Sequence, residues 1–275
     1  MTSRPFAQTN AVVTGASSGI GRAIAVALCR SGVSRIVIHY CRNQRGANET
    51  ADQCRRHGAE PILAACDLAD PHSVDRFANQ CFSQLADIST WINNAGADVL
   101  TTEMAGKSFA EKLALLTSVD LLGTIRLARI AAEQMMANPS DLPPSMCFLG
   151  WDQSCGGMEG DAGQMFAPVK AAITAFAKSL AQSCGPRLRV NTIAPGWIRT
   201  AWGESADEYW DARAKSQSLM RRWGTPDDVA RGVLFATNPH NTFFTGQLVQ
   251  VNGGWNRRFD VDAPETFGGA PTKHS

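Results

Sequence analysis

A glycine-rich loop directly after the first apolar segment constrains the fold of this chain more than any other feature. The short run Ala11-Val12-Val13 predicts a strand, and the loop Thr14–Gly21 that follows has glycine at positions 15, 19 and 21. Glycine has no Cβ, so the backbone can turn sharply there or approach a ligand closely. A helical pattern begins at Arg22, and the amide groups at a helix N-terminus favour an anion. This strand–loop–helix order predicts a site for the pyrophosphate of a dinucleotide.

The rest of the chain alternates between short apolar runs and segments with helical periodicity. Such alternation is typical of a parallel sheet covered by helices on both faces. We therefore predict a single doubly wound, Rossmann-type α/β domain with a seven-stranded, mostly parallel sheet. The predicted strands after the first are 35–40, 61–66, 88–92, 145–150, 187–193 and 247–251, and the predicted helices are 22–30, 44–57, 71–86, 107–137 and 167–183.

The predicted domain has two functional halves and a tail. It is expected to span residues 1–257, with a cofactor half at about 8–145 and a half that holds the substrate and its lid at about 146–257. Residues 258–275 contain Pro, Gly and Ser and predict a C-terminal tail that orders only against a partner subunit.

Composition and charge argue against several classes of function. The formal net charge is +1 without a basic block, which gives no electrostatic support for nucleic-acid binding. No apolar run is long enough for a membrane span, and Met1–Asn10 is polar, without the apolar run of a signal peptide. The eight cysteines form no C-x-x-C pair, so we expect reduced thiols in a cytoplasmic protein and no metal site.

Further motifs carry a resemblance to a known family. Asn93-Asn94-Ala95-Gly96 follows the fourth predicted strand, Phe166-Ala167-Pro168-Val169-Lys170 opens the last long helix, and Arg222–Ala230 and Thr245–Gly254 lie nearer the C-terminus. Together with the glycine loop they resemble the short-chain dehydrogenase/reductase family, and its 3-oxoacyl-acyl-carrier-protein-reductase-like branch most, over about residues 8–256. The resemblance implies an NAD(P)(H)-dependent oxidoreductase that forms a homo-oligomer, either a tetramer or a dimer.

The resemblance also implies cofactor contacts along the carboxyl edge of the predicted sheet. In the family, an Asp after the third strand accepts hydrogen bonds from the adenine ring, which maps onto Asp67. The alternative role is a helix cap, for which Asp70 is the better candidate. The full set of implied contacts is Gly15, Ser17, Ser18, Gly19, Ile20, Gly21, Tyr40, Arg42, Asp67, Leu68, Asn93, Ala95, Gly96, Lys170, Pro195, Gly196, Ile198 and Thr200.

The end of the second strand bears on the choice between NADP and NAD. Many NAD-dependent enzymes have an acid there that binds the ribose hydroxyls. This chain has Tyr40-Cys41-Arg42-Asn43 instead, without an acid. Arg42 can bind a 2′-phosphate through two hydrogen bonds, so the sequence favours NADP. The alternative is that Arg42 is a solvated loop residue.

The chain departs from the family at three of its four usual catalytic positions, which hold Asn, Ser, Tyr and Lys. The Asn position maps onto Asp120, and the Tyr position onto Phe166, which has no hydroxyl. The Ser position falls on Trp151, Asp152 or Gln153, depending on the alignment, and Ser154 is one step away. Lys170 alone remains, and in the family it also bonds the nicotinamide ribose. Three changes indicate a divergent subgroup rather than one lost residue.

Other residues are candidates for the missing acid. Asp152 lies on the loop after strand five, where burial would raise its pKa enough to protonate an oxygen or an imine nitrogen. Its alternative role is to cap its own loop. Asp120 is the second candidate, although it could instead pair with Lys170. Tyr209, in the predicted lid, could reach inward, but packing within the lid is favoured.

The lid region predicts an aromatic wall for a bulky or flat small molecule, formed by Trp197, Trp202, Tyr209, Trp210 and Met220, with Trp151 opposite. The alternative is packing within the core or between subunits. The function we predict is an oxidoreductase for a carbonyl or imine-like substrate, with an atypical site. The alternatives are a catalytically impaired cofactor-binding sensor or structural protein, and a non-redox catalyst in the same pocket.

Overall fold

Seven strands form one sheet in which every neighbouring pair is parallel. The computed structural model describes residues 4–85, 87–101, 103–137, 142–204 and 206–257. The predicted doubly wound α/β fold is confirmed, and the sheet is wholly parallel where the sequence predicted it mostly so. The strands are β1 Asn10–Val13, β2 Arg35–Tyr40, β3 Glu60–Ala65, β4 Ile88–Asn93, β5 Ser145–Leu149, β6 Arg189–Pro195 and β7 Leu248–Val251.

The strand order, β3-β2-β1-β4-β5-β6-β7, reverses direction between β1 and β4. In open parallel sheets, ligands bind at the carboxyl ends of the strands beside such a reversal. The glycine loop follows β1, and Asn94-Ala95-Gly96 follows β4, so both motifs meet at this point. The fold thus brings two sequence motifs about 80 residues apart to one edge of the sheet.

Helices cover both faces of the sheet. The helices are α1 Gly19–Arg30, α2 Gln44–Arg56, α3 Pro71–Gln84, α4 Phe109–Leu116, α5 Thr124–Ala137, α6 Gly160–Cys184, α7 Ala201–Glu204, α8 Glu208–Gln217 and α9 Pro226–Thr237. One core contains buried residues of α1, α2 and α9 against strand residues such as Val13, and a second core contains those of α3, α5 and α6 against Val12. None of these helices is both long and apolar enough to cross a bilayer.

Two predicted helices were wrong in outline. The helix predicted at 107–137 is three segments, because a π-helical stretch at Thr117–Gly123 separates α4 from α5. A π-helix carries an extra residue per turn and is frequent at functional sites. The helix predicted at 167–183 is α6, which begins at Gly160 and contains Pro168 in its interior. The predicted tail at 258–275 lies outside the described residues, as do residue 86 and the side chain of Trp202.

Candidate active site

The glycine loop packs tightly against the segment after β4, so that two of its positions, Gly15 and Gly21, have no room for a side chain. Gly15 has φ +63°, and a Cβ built on it would lie 2.8 Å from the Cα of Ala95. A Cβ on Gly21 would clash with the carbonyl oxygen of Gly15. Asn94 donates from Nδ2 to the carbonyls of Thr14 and Gly15, at 2.9 and 3.1 Å. Asn94 therefore holds the loop, a role that the sequence analysis did not assign.

Arg22 fixes the other side of the loop. Its guanidinium donates to the carbonyls of Ser17 at 2.6 Å and Gly46 at 3.1 Å, and it pairs with Glu49 at 3.0 Å. Ser18 is the N-cap of α1, and its side chain makes no capping hydrogen bond. The amides of the first turn of α1 are thus left without a side-chain cap, which suits an anion.

The ends of β2 and β3 carry the predicted adenosine contacts. The side chain of Arg42 is 85 % exposed, and its guanidinium lies 3.8 Å from the carboxylate of Glu103. Such an exposed ion pair is weak and leaves Arg42 available to a ligand. Asp67 is exposed and accepts a hydrogen bond from the amide of Ala69 at 2.9 Å, whereas Asp70 caps α3. Asp70 is therefore the N-cap of α3, which confirms the prediction that it caps this helix.

Asn93 is the last residue of β4, and only one of the two polar atoms of its side chain has a hydrogen-bond partner among the described residues. Its side chain is buried, and Oδ1 accepts a hydrogen bond from Trp91 Nε1 at 3.1 Å. Its Nδ2 has no hydrogen-bond partner among the described residues. A buried donor without a partner is costly, so a bound ligand or water is expected to complete it.

Lys170 and Asp120 form a buried ion pair. Lys170 Nζ lies 2.9 Å from Asp120 Oδ2, and the two side chains are 16 % and 2 % exposed. The other oxygen, Oδ1, accepts the amide of Ala97 at 2.7 Å. A Cβ on Gly96 would lie 2.8 Å from Oδ2, so the glycine admits the carboxylate. Asp120 is carried by the π-helical stretch, and it thus links this stretch, α6 and the segment after β4.

Phe166 lies in an apolar pocket. It packs against a small cluster with Val99, Leu116, Met165 and Val169 at its centre. Its ring meets that of Trp151 edge-on, with centroids 6.4 Å apart and planes at 71°. Phe166, which the sequence analysis aligned with the family's Tyr, therefore makes an aromatic contact between α6 and the loop after β5.

Asp152 lies where β5, β6 and β7 end. It is 7 % exposed, and its Oδ2 accepts a hydrogen bond from Asn252 Nδ2 at 3.0 Å. A Cβ on Gly196 would lie 3.1 Å from Oδ2. The other oxygen, Oδ1, has no partner among the described residues. Burial raises the pKa of the Asp152 carboxyl to about 6, against the opposing effect of the hydrogen bond from Asn252.

In the turn after β5, the hydroxyl of Ser154 is already bonded to the backbone of the turn. Ser154 donates its hydroxyl proton to the carbonyl of Trp151 at 2.7 Å. Gln153 is buried, and its Nε2 has no partner among the described residues. The turn of Asp152, Gln153 and Ser154 therefore has two unpaired polar groups among the described residues, a carboxylate oxygen and an amide nitrogen.

The segment after β6 reaches across to the glycine loop. Gly196 donates its amide to Val251 at 3.1 Å, and Ile198 is buried in a bridge to Gly224. The methyl group of Thr200 lies 3.7 Å from the position of a Cβ on Gly19. Pro195, Gly196, Ile198 and Thr200 therefore lie on one segment that runs from the end of β6 towards the start of α1.

The lid contains an aromatic cluster built around Arg213. The ring centroids of Trp197 and Trp210 are 5.6 Å apart, and the guanidinium of Arg213 lies over both rings, 5.7 and 5.3 Å from their centroids. Arg213 also pairs with Glu159, the N-cap of α6, and holds the pKa of that carboxyl at about 2. Tyr209 is 60 % exposed and meets Trp210 edge-on. The pair of Arg213 and Glu159, which the sequence analysis missed, joins the lid to the helix of Phe166 and Lys170.

The site has two distinct charged groups at one sheet edge. One is the ion pair of Lys170 and Asp120, and the other is the carboxyl of Asp152, whose pKa is raised by burial. A carboxyl with a pKa near 6 can hold a proton and release it near neutral pH. In the part of the chain that the structure describes, no group of three His, Cys, Asp or Glu side chains could hold a metal ion.

A family model, described as enoyl-(acyl carrier protein) reductase, matches residues 15–256. A 3-oxoacyl-[acyl-carrier-protein] reductase of Synechocystis is 29 % identical over 250 residues, which cover 89 % of this chain and 95 % of that protein. The similar reductase of Aquifex aeolicus is 29 % identical over 247 residues, or 88 % and 95 % of the two chains.

Solved structures match the same span. A double variant of a Serratia marcescens short-chain dehydrogenase/reductase superposes with a TM-score of 0.81 at 25 % identity and covers 91 % of this chain and 98 % of its own. A short-chain dehydrogenase from Burkholderia cenocepacia, solved with NADP, has the same fold with a TM-score of 0.80 at 24 % identity, over 91 % and 98 % of the chains.

Proposed function

This chain belongs to the short-chain dehydrogenase/reductase family of NAD(P)-dependent oxidoreductases, and from that premise we propose that it reduces a C=O or C=N bond of a small molecule at an atypical active site. One observation carries the proposal: Gly15 and Gly21 leave no room for side chains at the loop where a pyrophosphate would bind. Lys170 and Asp152 lie at the same carboxyl edge of the sheet, where such ligands bind.

The residues at this edge fit a dinucleotide. The loop amides and the first turn of α1 would hold the pyrophosphate, and the unpaired Nδ2 of Asn93 can donate to a ligand group. Arg42 is exposed at the end of β2 and can bind a 2′-phosphate, which favours NADP over NAD. Lys170 would bond the nicotinamide ribose. When bound, the cofactor supplies a hydride to an electrophilic carbon.

Reduction of a carbonyl also needs a proton on the oxygen. Phe166 cannot supply one, and Lys170 is held by Asp120. The carboxyl of Asp152 is the group that best fits this role, because burial raises its pKa to about 6 and its Oδ1 is unpaired. Its bond from Asn252 fixes the orientation of the side chain. We assign Asp152 as the general acid for carbonyl substrates.

Reduction of an iminium ion needs no such acid. The hydride adds to carbon, and the electron pair of the C=N π bond becomes the lone pair of the amine nitrogen, so no proton is transferred. This step neutralises the positive charge of the iminium ion, so the apolar surroundings of Phe166 and Trp151 do not oppose the hydride transfer itself. A C=N substrate therefore fits the site best, because its reduction does not require the hydroxyl that Phe166 lacks. The indole groups of the lid and of Trp151 favour a bulky or aromatic molecule.

Two alternatives retain support from specific observations. The pairing of Lys170 with Asp120 and the absence of the Tyr hydroxyl favour a cofactor-binding sensor or structural protein with little turnover. The unpaired Oδ1 of Asp152 and Nε2 of Gln153 favour a non-redox catalyst, because both groups could act on a ligand without a hydride.

Binding of NADPH and NADH, measured by quenching of tryptophan fluorescence, tests the proposal first. The same samples then receive a panel of ketones and preformed iminium ions, and absorbance at the nicotinamide band reports turnover. We expect NADPH to bind and the iminium ions to be reduced faster than the ketones. Binding without oxidation in either panel would favour the alternatives, and absence of binding would refute the dinucleotide site.

Replacement of Arg42 tests the cofactor preference. Arg42→Ala is expected to raise the Kd for NADPH about 10- to 100-fold, the effect of losing about one hydrogen bond to a charged group, which contributes about 1.5–3 kcal/mol. The Kd for NADH should stay unchanged. Arg55→Ala, an exposed arginine at the far end of α2, is the matched control. Equal changes for both cofactors would show that Arg42 does not read the 2′-phosphate.

A further inference from the structure

His39 is a buried polar residue of β2, the second strand from the edge of the sheet, and the proposed reaction does not use it. It is the next-to-last residue of β2 and is 2 % exposed. The three residues before it, Ile36, Val37 and Ile38, are apolar and fully buried. A polar side chain in such a strand is costly unless its hydrogen bonds are satisfied. Both nitrogens of the His39 ring have partners.

The two partners determine the tautomer of His39. The amide of Gly15 lies 2.9 Å from Nδ1, and because an amide only donates, Nδ1 must accept. The carbonyl of Cys66 lies 3.0 Å from Nε2, and because a carbonyl only accepts, Nε2 must carry the proton. The ring is therefore the neutral Nε2–H form. Burial agrees with this assignment, since it lowers the pKa of His39 to about 4.

These partners belong to the two segments that border the adenosine half of the proposed dinucleotide site. Gly15 is the first glycine of the loop after β1, with φ +63°. Cys66 follows β3 and directly precedes Asp67 and Leu68. The backbone of His39 adds a third bond, because its carbonyl accepts the amide of Ala16 at 2.9 Å. Phe77 of α3 packs against the imidazole, with centroids 5.0 Å apart, and restricts its rotation.

We propose that His39 is a positioning residue for the dinucleotide: its ring sets the separation and orientation of the glycine loop and the Asp67 turn, so that both meet the adenosine half of the cofactor. This inference rests on the proposed cofactor site. The ring touches neither the reacting bond nor, through its own atoms, the ligand, because both nitrogens are used by the backbone. Its effect is therefore on cofactor affinity and not on the chemical step.

Three variants separate the two bonds. His39→Leu removes both, His39→Asn keeps an acceptor near the position of Nδ1, and His39→Gln keeps a donor near the position of Nε2. His240→Leu, at an exposed histidine elsewhere, is the matched control. We expect the Leu variant to raise the Kd for NADPH about 10- to 100-fold and the KM for NADPH in parallel, with little change in kcat at saturating cofactor. The Asn variant, which keeps the bond to Gly15, and the Gln variant, which keeps the bond to Cys66, should each recover only part of the affinity.

Hydrogen exchange at the Gly15 amide and thermal unfolding of the cofactor-free protein accompany the titration. The Leu variant should lose protection at Gly15, and the Asn variant should regain it. If the Leu variant binds NADPH as the unaltered protein does, and loses only thermal stability, His39 is merely structural and the inference is overturned. If the unaltered protein itself does not bind NADPH, the proposed function fails, whereas normal binding that is insensitive to His39 refutes this inference alone.

Discussion

The variant Asp152→Asn is expected to reduce ketones about 10²–10⁴-fold more slowly than the unaltered protein, the usual cost of losing a general acid. An amide cannot donate the proton that the new hydroxyl group needs, yet it has nearly the size of the carboxyl and can still accept from Asn252. Reduction of iminium ions should change little, because that reaction needs no proton. The ratio of ketone to iminium turnover, measured at saturating NADPH, is the readout.

The rate of ketone reduction should also depend on pH, because it requires the protonated form of Asp152. Burial raises the pKa of Asp152 from 3.8 to about 6, so the protonated acid is the main form below about pH 6 and decreases as the pH rises through this value. Ketone reduction should therefore fall between about pH 5 and pH 7 in the unaltered protein and lose this dependence in Asp152→Asn. The neutral Asn should also raise the free energy of unfolding at pH 8, because a buried ionised carboxyl is costly.

Asp161→Asn is the matched control for this prediction, since Asp161 is an exposed acid in the first turn of α6. It should change neither the substrate ratio nor the pH profile. Unchanged ketone turnover in Asp152→Asn would show that water or another group provides the proton. Equal losses on ketones and iminium ions would place Asp152 in binding or in folding instead of proton transfer.

The double variant Phe166→Tyr with Asp120→Asn is expected to accelerate ketone reduction about 10²–10⁴-fold. The Tyr hydroxyl would restore an acid at the position where the family has one. Asp120→Asn releases Lys170 from its ion pair and keeps an oxygen that can accept the amide of Ala97. A free ammonium group lowers the pKa of a nearby phenol, whereas a paired one does so far less.

The single variants test the role of the ion pair. Phe166→Tyr alone should give a small part of the gain, because Lys170 stays paired with Asp120. Asp120→Asn alone should give almost none. The two changes should therefore be strongly non-additive. Phe176→Tyr, on the same helix and packed against Phe148, controls for an added phenol. A full gain from Phe166→Tyr alone would show that the pair with Asp120 does not limit the site. Absence of any gain in the double variant would favour the sensor or the non-redox catalyst.

Much of the fold is legible in the sequence because its signals are local. The glycines at 15, 19 and 21 follow an apolar run, and the alternation of strands and helices repeats along the chain. These patterns depend on residues a few positions apart, and the doubly wound sheet confirms them. The boundaries of the long helices were harder to predict, because the π-helical stretch around Asp120 has no local marker and its carboxylate finds Lys170 50 positions away.

In the candidate site, too, the identities of the residues can be read from the sequence, whereas their roles depend on tertiary contacts. The absence of a hydroxyl at Phe166 is a fact of the sequence, and so is the presence of Lys170 and of acids at positions 120 and 152. Their roles depend on partners that no spacing rule identifies, such as Asn252, which lies 100 positions from Asp152. The polar residue in the buried strand β2 was a signal for His39, but its two backbone partners are visible only in three dimensions. Homo-oligomeric assembly and a cytoplasmic location stay predictions.

The family, the order of the strands and the dinucleotide loop could be predicted from the sequence, because each arises from short-range pattern and from the steric freedom of glycine. The tertiary structure decided which charge is paired and which is not. It joined Asp120 to Lys170 and buried Asp152 beside Asn252. Burial and pairing depend on neighbours brought from distant parts of the chain, and they set the proton affinity on which the proposed chemistry depends.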